Sequence, residues 1–215
     1  MVFREEGGVR FRGEGDLTGD ATALVPHRIG LQVPAGRYRL ELKAVDAWQK
    51  RVAHYRQQVV VENYAADSLR LSRIHMAWRI TEADAETAFM KDGLEVVPLP
   101  TRTYDRGSGV FAYYEIYNMS KDEFGRTHYQ VTYDVRPVQG DHGTGVISML
   151  TRLGRDHREA VAVSYDRSGE SETEVEFVEL RLSDQPEGQQ ILTIRVEDLI
   201  LGRATEREVR FSIGE

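Results

Sequence analysis

The side chains best suited to catalysis or metal binding are the histidines, of which the chain has six. His142 follows Asp141 and His157 follows Asp156, each in a polar segment. Two such Asp-His pairs could converge on a metal ion or exchange protons as an acid–base pair. However, no His occurs in a metal-ligand spacing such as H-x-H or H-E-x-x-H. We therefore interpret both pairs as solvent-exposed loop residues, and the sequence predicts no metal site and no cofactor.

A second candidate is the acidic run at residues 170–179, ESETEVEFVE, in which glutamates alternate with other residues. Alternate carboxylates on one face of a strand could hold Ca²⁺, which prefers several oxygen ligands. The same alternation is typical of a half-exposed strand with its polar face in water, and we favour that interpretation. The chain also lacks a G-x-S-x-G nucleophile motif and the Lys-Ser/Thr of a phosphate-binding loop. The sequence therefore does not indicate an enzyme, and a hydrolase based on the Asp-His pairs ranks behind two non-catalytic functions.

Aromatic side chains form the third candidate, a surface for binding a ligand. Residues 110–117, VFAYYEIY, place Tyr113 and Tyr117 on one face of a strand and Tyr114 on the other. Trp48 lies in an expected hairpin loop, where exposure would let its ring stack on a sugar. The candidate ligand-binding residues are therefore Trp48, Tyr113, Tyr114 and Tyr117, and the ligand would be a glycan or a small molecule. The alternative is a central strand whose rings fill the core. We favour it because both faces of this segment are mostly apolar.

The elements that must position these residues are predicted to be strands, because the dominant periodicity is two. In residues 37–45, RYRLELKAV, apolar and charged side chains alternate strictly, as in a half-buried antiparallel strand. A slip in phase between Leu71 and Ile74 predicts a β-bulge or a crossing at a sheet edge. The single helical prediction is residues 81–92, where a Thr-x-x-Asp start resembles a capping box and a Gly follows the end. Further strands are predicted at residues 57–61, 69–80, 94–97, 110–118, 128–138, 146–150, 160–165, 174–182, 190–197 and 208–213.

Composition narrows the class of protein further. The chain has 215 residues, a formal net charge of -7 and no Cys. The acidic balance argues against nucleic-acid binding, which needs a basic face, and the lack of Cys excludes disulfides and thiolate metal sites. No apolar run is long enough to span a membrane, and we expect no signal peptide in the chain. Many short strands separated by Gly- and Pro-containing turns then predict an all-β protein of the β-sandwich, immunoglobulin-like type.

An internal repeat predicts two domains. Residues 34–46 align without a gap with residues 186–198, which lie 152 positions later, and the alignment continues through the next strand. Two copies of one closing hairpin imply two antiparallel β-sandwich domains, with the boundary at residues 63–68. We assign residues 1–64 to a small or partial sandwich domain and residues 65–215 to a larger sandwich that includes the short helix. The small size of the first domain favours a chain that is a fragment lacking upstream strands.

One region resembles a known family. Residues 89–104, FMKDGLEVVPLPTRTY, and residues 111–118, FAYYEIYN, are similar to the C-terminal β-rich region of bacterial proteins that contain a GWxTD domain. The Pro-x-Gly-x-Tyr-x-Leu strand at residues 34–40 is also typical of that region. The resemblance covers roughly residues 34–215, whereas the Gly-Trp-x-Thr-Asp motif itself is absent. It implies an exported bacterial parent protein, and it carries over no functional residue.

These observations favour a non-catalytic structural or interaction module of an exported bacterial protein. The module would lie outside the cytoplasm, in the periplasm or secreted, as part of a larger parent. It would bind a protein partner, or assemble with itself, through exposed edge strands. The alternative is a carbohydrate- or ligand-binding β-sandwich that uses the aromatic residues named above. Neither function involves nucleic acid, a cofactor or a membrane span.

Overall fold

The structure, a computed structural model, describes residues 28–46, 50–65, 67–83, 87–138, 163–182 and 185–214. These residues form an all-β protein, which confirms the predicted fold class. The strands are β1 Gly36–Val45, β2 Val52–Val61, β3 Arg70–Leu71, β4 His75–Glu82, β5 Met90–Lys91, β6 Leu94–Pro98, β7 Thr103–Asp105, β8 Val110–Tyr117, β9 Thr127–Pro137, β10 Val163–Gly169, β11 Glu174–Leu180, β12 Gly188–Asp198 and β13 Arg203–Gly214.

The described residues divide into two compact units, residues 28–65 and residues 67–214. In the first unit, β1 and β2 pair as one antiparallel hairpin. Because side chains alternate across a strand, one face of this hairpin is mostly apolar, and the other carries its charged side chains together with three valines. Within residues 28–65, apart from the undescribed 47–49, the hairpin is the only sheet, so the part of this unit that is described has a single layer.

The second unit is a β-sandwich of two sheets. One sheet has the order β10-β9-β12-β13-β7, and the other has the order β11-β8-β4-β6-β5 with β3 also paired to β8. All of these pairings are antiparallel except that between β7 and β13, which is parallel. At this parallel edge, three residues of β7 lie beside the end of the last strand.

The core lies between the two sheets and follows from the alternation along the central strands. In β9, every second residue from Thr127 to Val135 is buried, and β12 shows the same pattern from Gln190 to Asp198. Tyr114 and Ile116 of β8 face them from the other sheet, and both are fully buried. Each square ångström of apolar surface removed from water in this way stabilises the fold by roughly 25 cal/mol.

The predicted helix at residues 81–92 is wrong in the part that the structure describes. Thr81 and Glu82 complete β4 and pair with β6, and residues 90–91 form the short strand β5. Asp92 and Gly93 link β5 to β6 with positive φ angles of 50° and 79°. Hydrogen bonding to a neighbouring strand therefore outweighs the helix propensity of the alanines and glutamates in this segment.

The break near residue 72 is also different from the prediction. The slip in phase between Leu71 and Ile74 marks the gap between two strands, because β3 ends at Leu71 and β4 begins at His75. The register shift of β4 lies further along, between Ala77 and Arg79, where β4 pairs with β6. The sequence pattern thus indicates an irregularity in the correct region, and only the β-bulge alternative is misplaced, by several residues.

The internal repeat has a structural counterpart, because the two hairpins share one register. Every residue pair of the β1–β2 ladder recurs 152 positions later in the β12–β13 ladder, from Gly36↔Val61 with Gly188↔Ile213 to Val45↔Val52 with Glu197↔Ala204.

A side-chain hydrogen bond recurs in the two hairpins as well. The Tyr38 hydroxyl donates to the Pro34 carbonyl at 2.7 Å, and the Gln190 amide donates to the Pro186 carbonyl at 2.7 Å. Both bonds close the Pro-x-Gly turn that precedes the first strand of each hairpin. The two segments are therefore copies of one structural unit in backbone pairing, although the turn glycines differ, since Gly188 has a φ of 105° and Gly36 has no positive φ.

Candidate interaction site

The aromatic strand β8 is a central strand of its sheet, between β11 and β4. Its residues alternate between the two faces of the sheet, with Tyr114 directed to the sandwich core and Tyr113 to the opposite face. Both rings are fully buried. The interpretation of residues 110–117 as a core-filling strand is therefore confirmed for these two tyrosines.

Tyr114 is held in the core by a partner on the other sheet. Its hydroxyl lies 2.6 Å from the hydroxyl of Tyr133, and the two rings meet edge to face with centroids 6.3 Å apart. Burial raises the pKa of Tyr114, because a phenolate would lose its hydration there, and the neighbouring Tyr133 hydroxyl raises it further. Tyr114 is thus a neutral core residue that no ligand can reach from solvent.

Tyr113 is covered from the other side by the β5–β6 turn. The Lys91 ammonium lies 4.4 Å from its ring centroid, and its hydroxyl donates to the Asp92 carboxylate at 2.5 Å. Lys91 also forms an ion pair with Glu115. Burial, followed by the hydrogen bond to Asp92, raises the pKa of Tyr113. This ring therefore anchors a turn, and its face is occupied by a cation of the same chain.

The other two predicted ligand-binding residues do not complete a stacking platform. Tyr117 lies at the end of β8, is half-buried and donates its hydroxyl to Glu115. Trp48 lies outside the described residues. A ring that stacks on a sugar must expose one face to solvent. Of the three described tyrosines, Tyr113 and Tyr114 are buried and only Tyr117 is partly exposed.

The histidine and carboxylate candidates do not form a metal or acid–base site in the described part of the chain. His142 and His157 lie outside it, and no cluster of three or more His, Asp or Glu suited to a metal occurs within it. One Asp-His contact is present, 2.9 Å between Asp122 and His128. The backbone amide of Arg126, and then His128, lower the pKa of Asp122. Asp122 organises an exposed turn, because its other oxygen accepts backbone amides.

The acidic strand β11 differs from its predicted orientation. Glu176 pairs with Tyr114 and Glu174 with Ile116, so both carboxylates lie on the core side of the sheet, near its edge. Glu176 accepts a hydrogen bond from the Tyr129 hydroxyl at 2.7 Å, and Phe177 on the other face is 45% exposed. The expectation of a solvated face is therefore wrong for Glu174 and Glu176, since Glu176 accepts from a buried hydroxyl of the opposite sheet, whereas Glu172 is exposed.

A shallow groove opens along one side of the sandwich, between the edge strands β10 and β11. Its volume is about 220 Å³, below the roughly 300–1,000 Å³ of typical small-molecule pockets. The sequence contains no signal for it, because it depends on the spacing of two sheet edges. Its lining combines apolar residues of both sheets with polar ones at the rim: Tyr133, Val135, Val163, Tyr165, Val178, Glu179, Leu180, Arg181, Leu182 and Gln185.

Several large apolar side chains are exposed on the β1–β2 hairpin. Leu42 is 45% exposed and its cross-strand partner Tyr55 is 51% exposed, and Leu40 is also exposed. We define the apolar face of the hairpin as Tyr38, Leu40, Leu42, Ala44, Ala53, Tyr55, Gln57, Val59 and Val61. The reverse, charged face carries Arg37, Arg39, Glu41, Lys43, His54 and Arg56, together with Gln58 and the exposed valines Val45, Val52 and Val60.

The sequence predicts the alternation of apolar and charged residues on this surface, but it predicts a different degree of burial. The strict alternation of residues 37–45 predicted a strand that is half-buried, which assumes that a core covers its apolar side. The strand is confirmed as β1, yet Leu40 and Leu42 remain exposed. Alternation predicts which face of a strand is apolar. It does not predict which residues pack against that face.

No family model matches the chain, and no curated protein matches it either. In the described residues, no helix has the length and apolar character to cross a membrane.

Proposed function

We propose that the chain is a non-catalytic interaction module and that the apolar face of the β1–β2 hairpin is its binding surface. The observation that supports this function is the exposure of Leu40, Leu42 and Tyr55 on one side of a well-paired hairpin. Contiguous apolar side chains on a regular sheet are typical of surfaces that bind another protein. The reverse face also exposes Val45, Val52 and Val60, but its Arg, Lys and Glu side chains make it the more hydrated of the two faces.

The hairpin suits this function better than the aromatic strand suits a glycan-binding one. Tyr113 and Tyr114 are both buried, one beneath Lys91 and one against Tyr133. A stacking site would have to expose a ring by breaking these contacts. The apolar face of the hairpin needs no such rearrangement, because its side chains already contact solvent.

We further propose that this module belongs to an exported bacterial protein and acts outside the cytoplasm. The support is the resemblance of residues 89–118 to the C-terminal region of GWxTD-domain proteins. Fractionation of the source cells tests this part of the proposal. Recovery of the chain in the cytoplasmic fraction would contradict it.

The binding surface is tested by site-specific photo-crosslinking in those cells. A photoreactive benzoylphenylalanine replaces Leu42 on the apolar face or its neighbour Lys43 on the charged face. We expect one adduct of discrete mass from position 42 and none from position 43, since adjacent residues of a strand point to opposite sides. Equal labelling from both positions, or from neither, would show that this face is not the binding surface.

A further inference from the structure

The groove between β10 and β11 continues into a second compartment at the β7–β8 turn. This turn comprises residues 106–109, Arg-Gly-Ser-Gly, which line the compartment. Glu179, Arg181 and Leu182 line both spaces, so the two form one cleft. Each compartment has a volume of about 220 Å³. The cleft as a whole therefore reaches the size range of ligand-binding sites, which begins at roughly 300 Å³.

The groove end of the cleft is apolar because the sandwich is open on this side. Val163 and Tyr165 lie opposite buried residues of β9, on the core side of their sheet. They are nevertheless 37% and 45% exposed. Val178 and Leu180 line the same space from β11. An apolar side chain inserted among these four residues would be removed from water by both sheets.

The edge of β11 that borders the groove directs backbone groups outward. Glu115 of β8 uses its amide and its carbonyl to bond Ser72, on the side of β8 away from β11. Since successive residues of a strand alternate in direction, the neighbours of Glu115 bond to β11, and the residues opposite them point toward β8. The other residues of β11, among them Phe177 and Glu179, therefore direct their N–H and C=O groups to the outer edge, along which no described strand pairs.

The far end of the cleft is basic. Arg106 donates to the Gln185 carbonyl at 3.2 Å and lies 3.7 Å from Glu187. Arg181 is exposed, and within the described residues it forms no ion pair or hydrogen bond. Two arginines thus line this compartment, together with the single carboxylate of Glu179. A guanidinium without an acidic partner suits a carboxylate ligand, which it can hold through two parallel hydrogen bonds.

We propose that this cleft binds the C-terminal end of an extended peptide from a partner protein, with the terminal carboxylate at Arg181 and apolar side chains in the groove. The peptide adds to β11 as an edge strand. It runs parallel to β11, because Arg181 follows the last residue of that strand. Strand addition at a sheet edge and capture of a terminal carboxylate are both known modes of peptide recognition. This inference goes beyond the proposed function, since it uses no residue of the β1–β2 hairpin.

A peptide fits the cleft better than a fatty acid does. Both ligands offer a carboxylate to Arg181 and an apolar body to the groove. Only a peptide also supplies partners for the outward N–H and C=O groups of Phe177 and Glu179. The alternation of a strand further sends every second side chain into the groove and the others to the outer face of the sheet.

Binding of fluorescein-labelled peptides to the full chain, measured by fluorescence anisotropy, tests the proposal. The probe is the peptide KTVTVTV with a free C-terminus. Its matched control is the same sequence with a C-terminal amide, which removes the charge alone. We expect the amide to bind at least about tenfold more weakly, and the difference to shrink as salt is raised. Equal binding of the two peptides, or of neither, would overturn the proposal.

The variant Arg181→Gln assigns the carboxylate to its partner. It should bind the free-acid peptide about as weakly as the amide, while its affinity for the amide stays unchanged. Arg195→Gln is the control, because Arg195 is an exposed arginine that bonds to Glu197 of its own strand, and it should keep the preference for the free acid. If Arg181→Gln weakened both peptides equally, Arg181 would not hold the carboxylate and the proposal would be wrong.

Hydrogen exchange followed by NMR locates the bound peptide. The amides of Phe177 and Glu179 should gain protection when the free-acid peptide binds, because they point away from β8. The amides of Glu176 and Val178 already bond to β8 and should change little. Binding that leaves Phe177 and Glu179 unprotected would contradict strand addition at β11.

Discussion

At the scale of single residues, the sandwich depends on buried hydroxyls that find partners across the two sheets. Tyr114 on β8 and Tyr133 on β9 lie 2.6 Å apart, and Tyr129 on β9 donates to Glu176 on β11. A buried polar group without a partner costs about 1–3 kcal/mol. These contacts therefore specify how the sheets align, because shifting one sheet by a residue would leave several hydroxyls unpaired.

The Tyr114–Tyr133 contact gives a prediction about stability. Tyr114→Phe leaves the Tyr133 hydroxyl buried without its partner, so we expect the free energy of unfolding to fall by about 1–3 kcal/mol. The double variant Tyr114→Phe/Tyr133→Phe removes both hydroxyls and should cost less than the sum of the two single changes. Urea denaturation followed by circular dichroism measures all three values. Strict additivity would show that the hydroxyls do not act as a pair.

The burial of β8 could be predicted from the sequence, whereas the residues that cover it could not. Apolar side chains on both faces of residues 110–117 indicate a central strand, and Tyr113 and Tyr114 are indeed buried. The contact of Lys91 and Asp92 with Tyr113 depends on how the sheet brings the β5–β6 turn over β8. No local sequence pattern predicts this position of the turn, because it results from the pairing of β8, β4, β6 and β5 in one sheet.

At the scale of elements, the β5–β6 hairpin shows how a two-residue turn overrides helix propensity. Asp92 and Gly93 both have positive φ, as a type I′ turn requires, and Asp-Gly is a strong sequence signal for such a turn. This dipeptide ends the segment that we predicted to be helical. The signal was therefore present in the sequence, and treating the Gly as a helix C-cap was the error.

A glycine substitution tests the importance of that turn. Gly93 has a φ of 79°, and a Cβ atom added there would meet no heavy atom within 4 Å, so Gly93→Ala adds backbone strain without a clash. We expect a loss of about 1–2 kcal/mol in the free energy of unfolding. Gly107→Ala is the control, since Gly107 also has open space around it but no positive φ. Comparable losses in both variants would argue against turn strain as the cause.

At the scale of the whole molecule, the two units differ in how much of their surface is buried. The sandwich unit has a continuous core that involves both sheets. The hairpin unit, in residues 28–65 as described, has one sheet whose apolar face is exposed. An isolated two-stranded hairpin is only marginally stable in water. We therefore expect the free energy of local unfolding to be much lower for the hairpin unit than for the sandwich unit.

Hydrogen exchange measures this difference directly. In dilute solution, amides of β1 and β2 should exchange several orders of magnitude faster than those of β9 and β12, which lie in the middle of their sheet. The β12–β13 hairpin is the internal reference, because it has the same register and a covered face. Similar protection of both hairpins at dilution would mean that β1–β2 is covered within a single chain.

The repeated register also has a consequence for folding. The hairpin of residues 36–61 and that of residues 188–213 present the same ladder after the same Pro-x-Gly sequence motif, and only the later one pairs with β9. Domains emerge from the ribosome from the N-terminus onward, so β1–β2 is available to β9 before β12 has been synthesised. If the earlier copy pairs with β9 first, it has to be displaced before β12 can take its place.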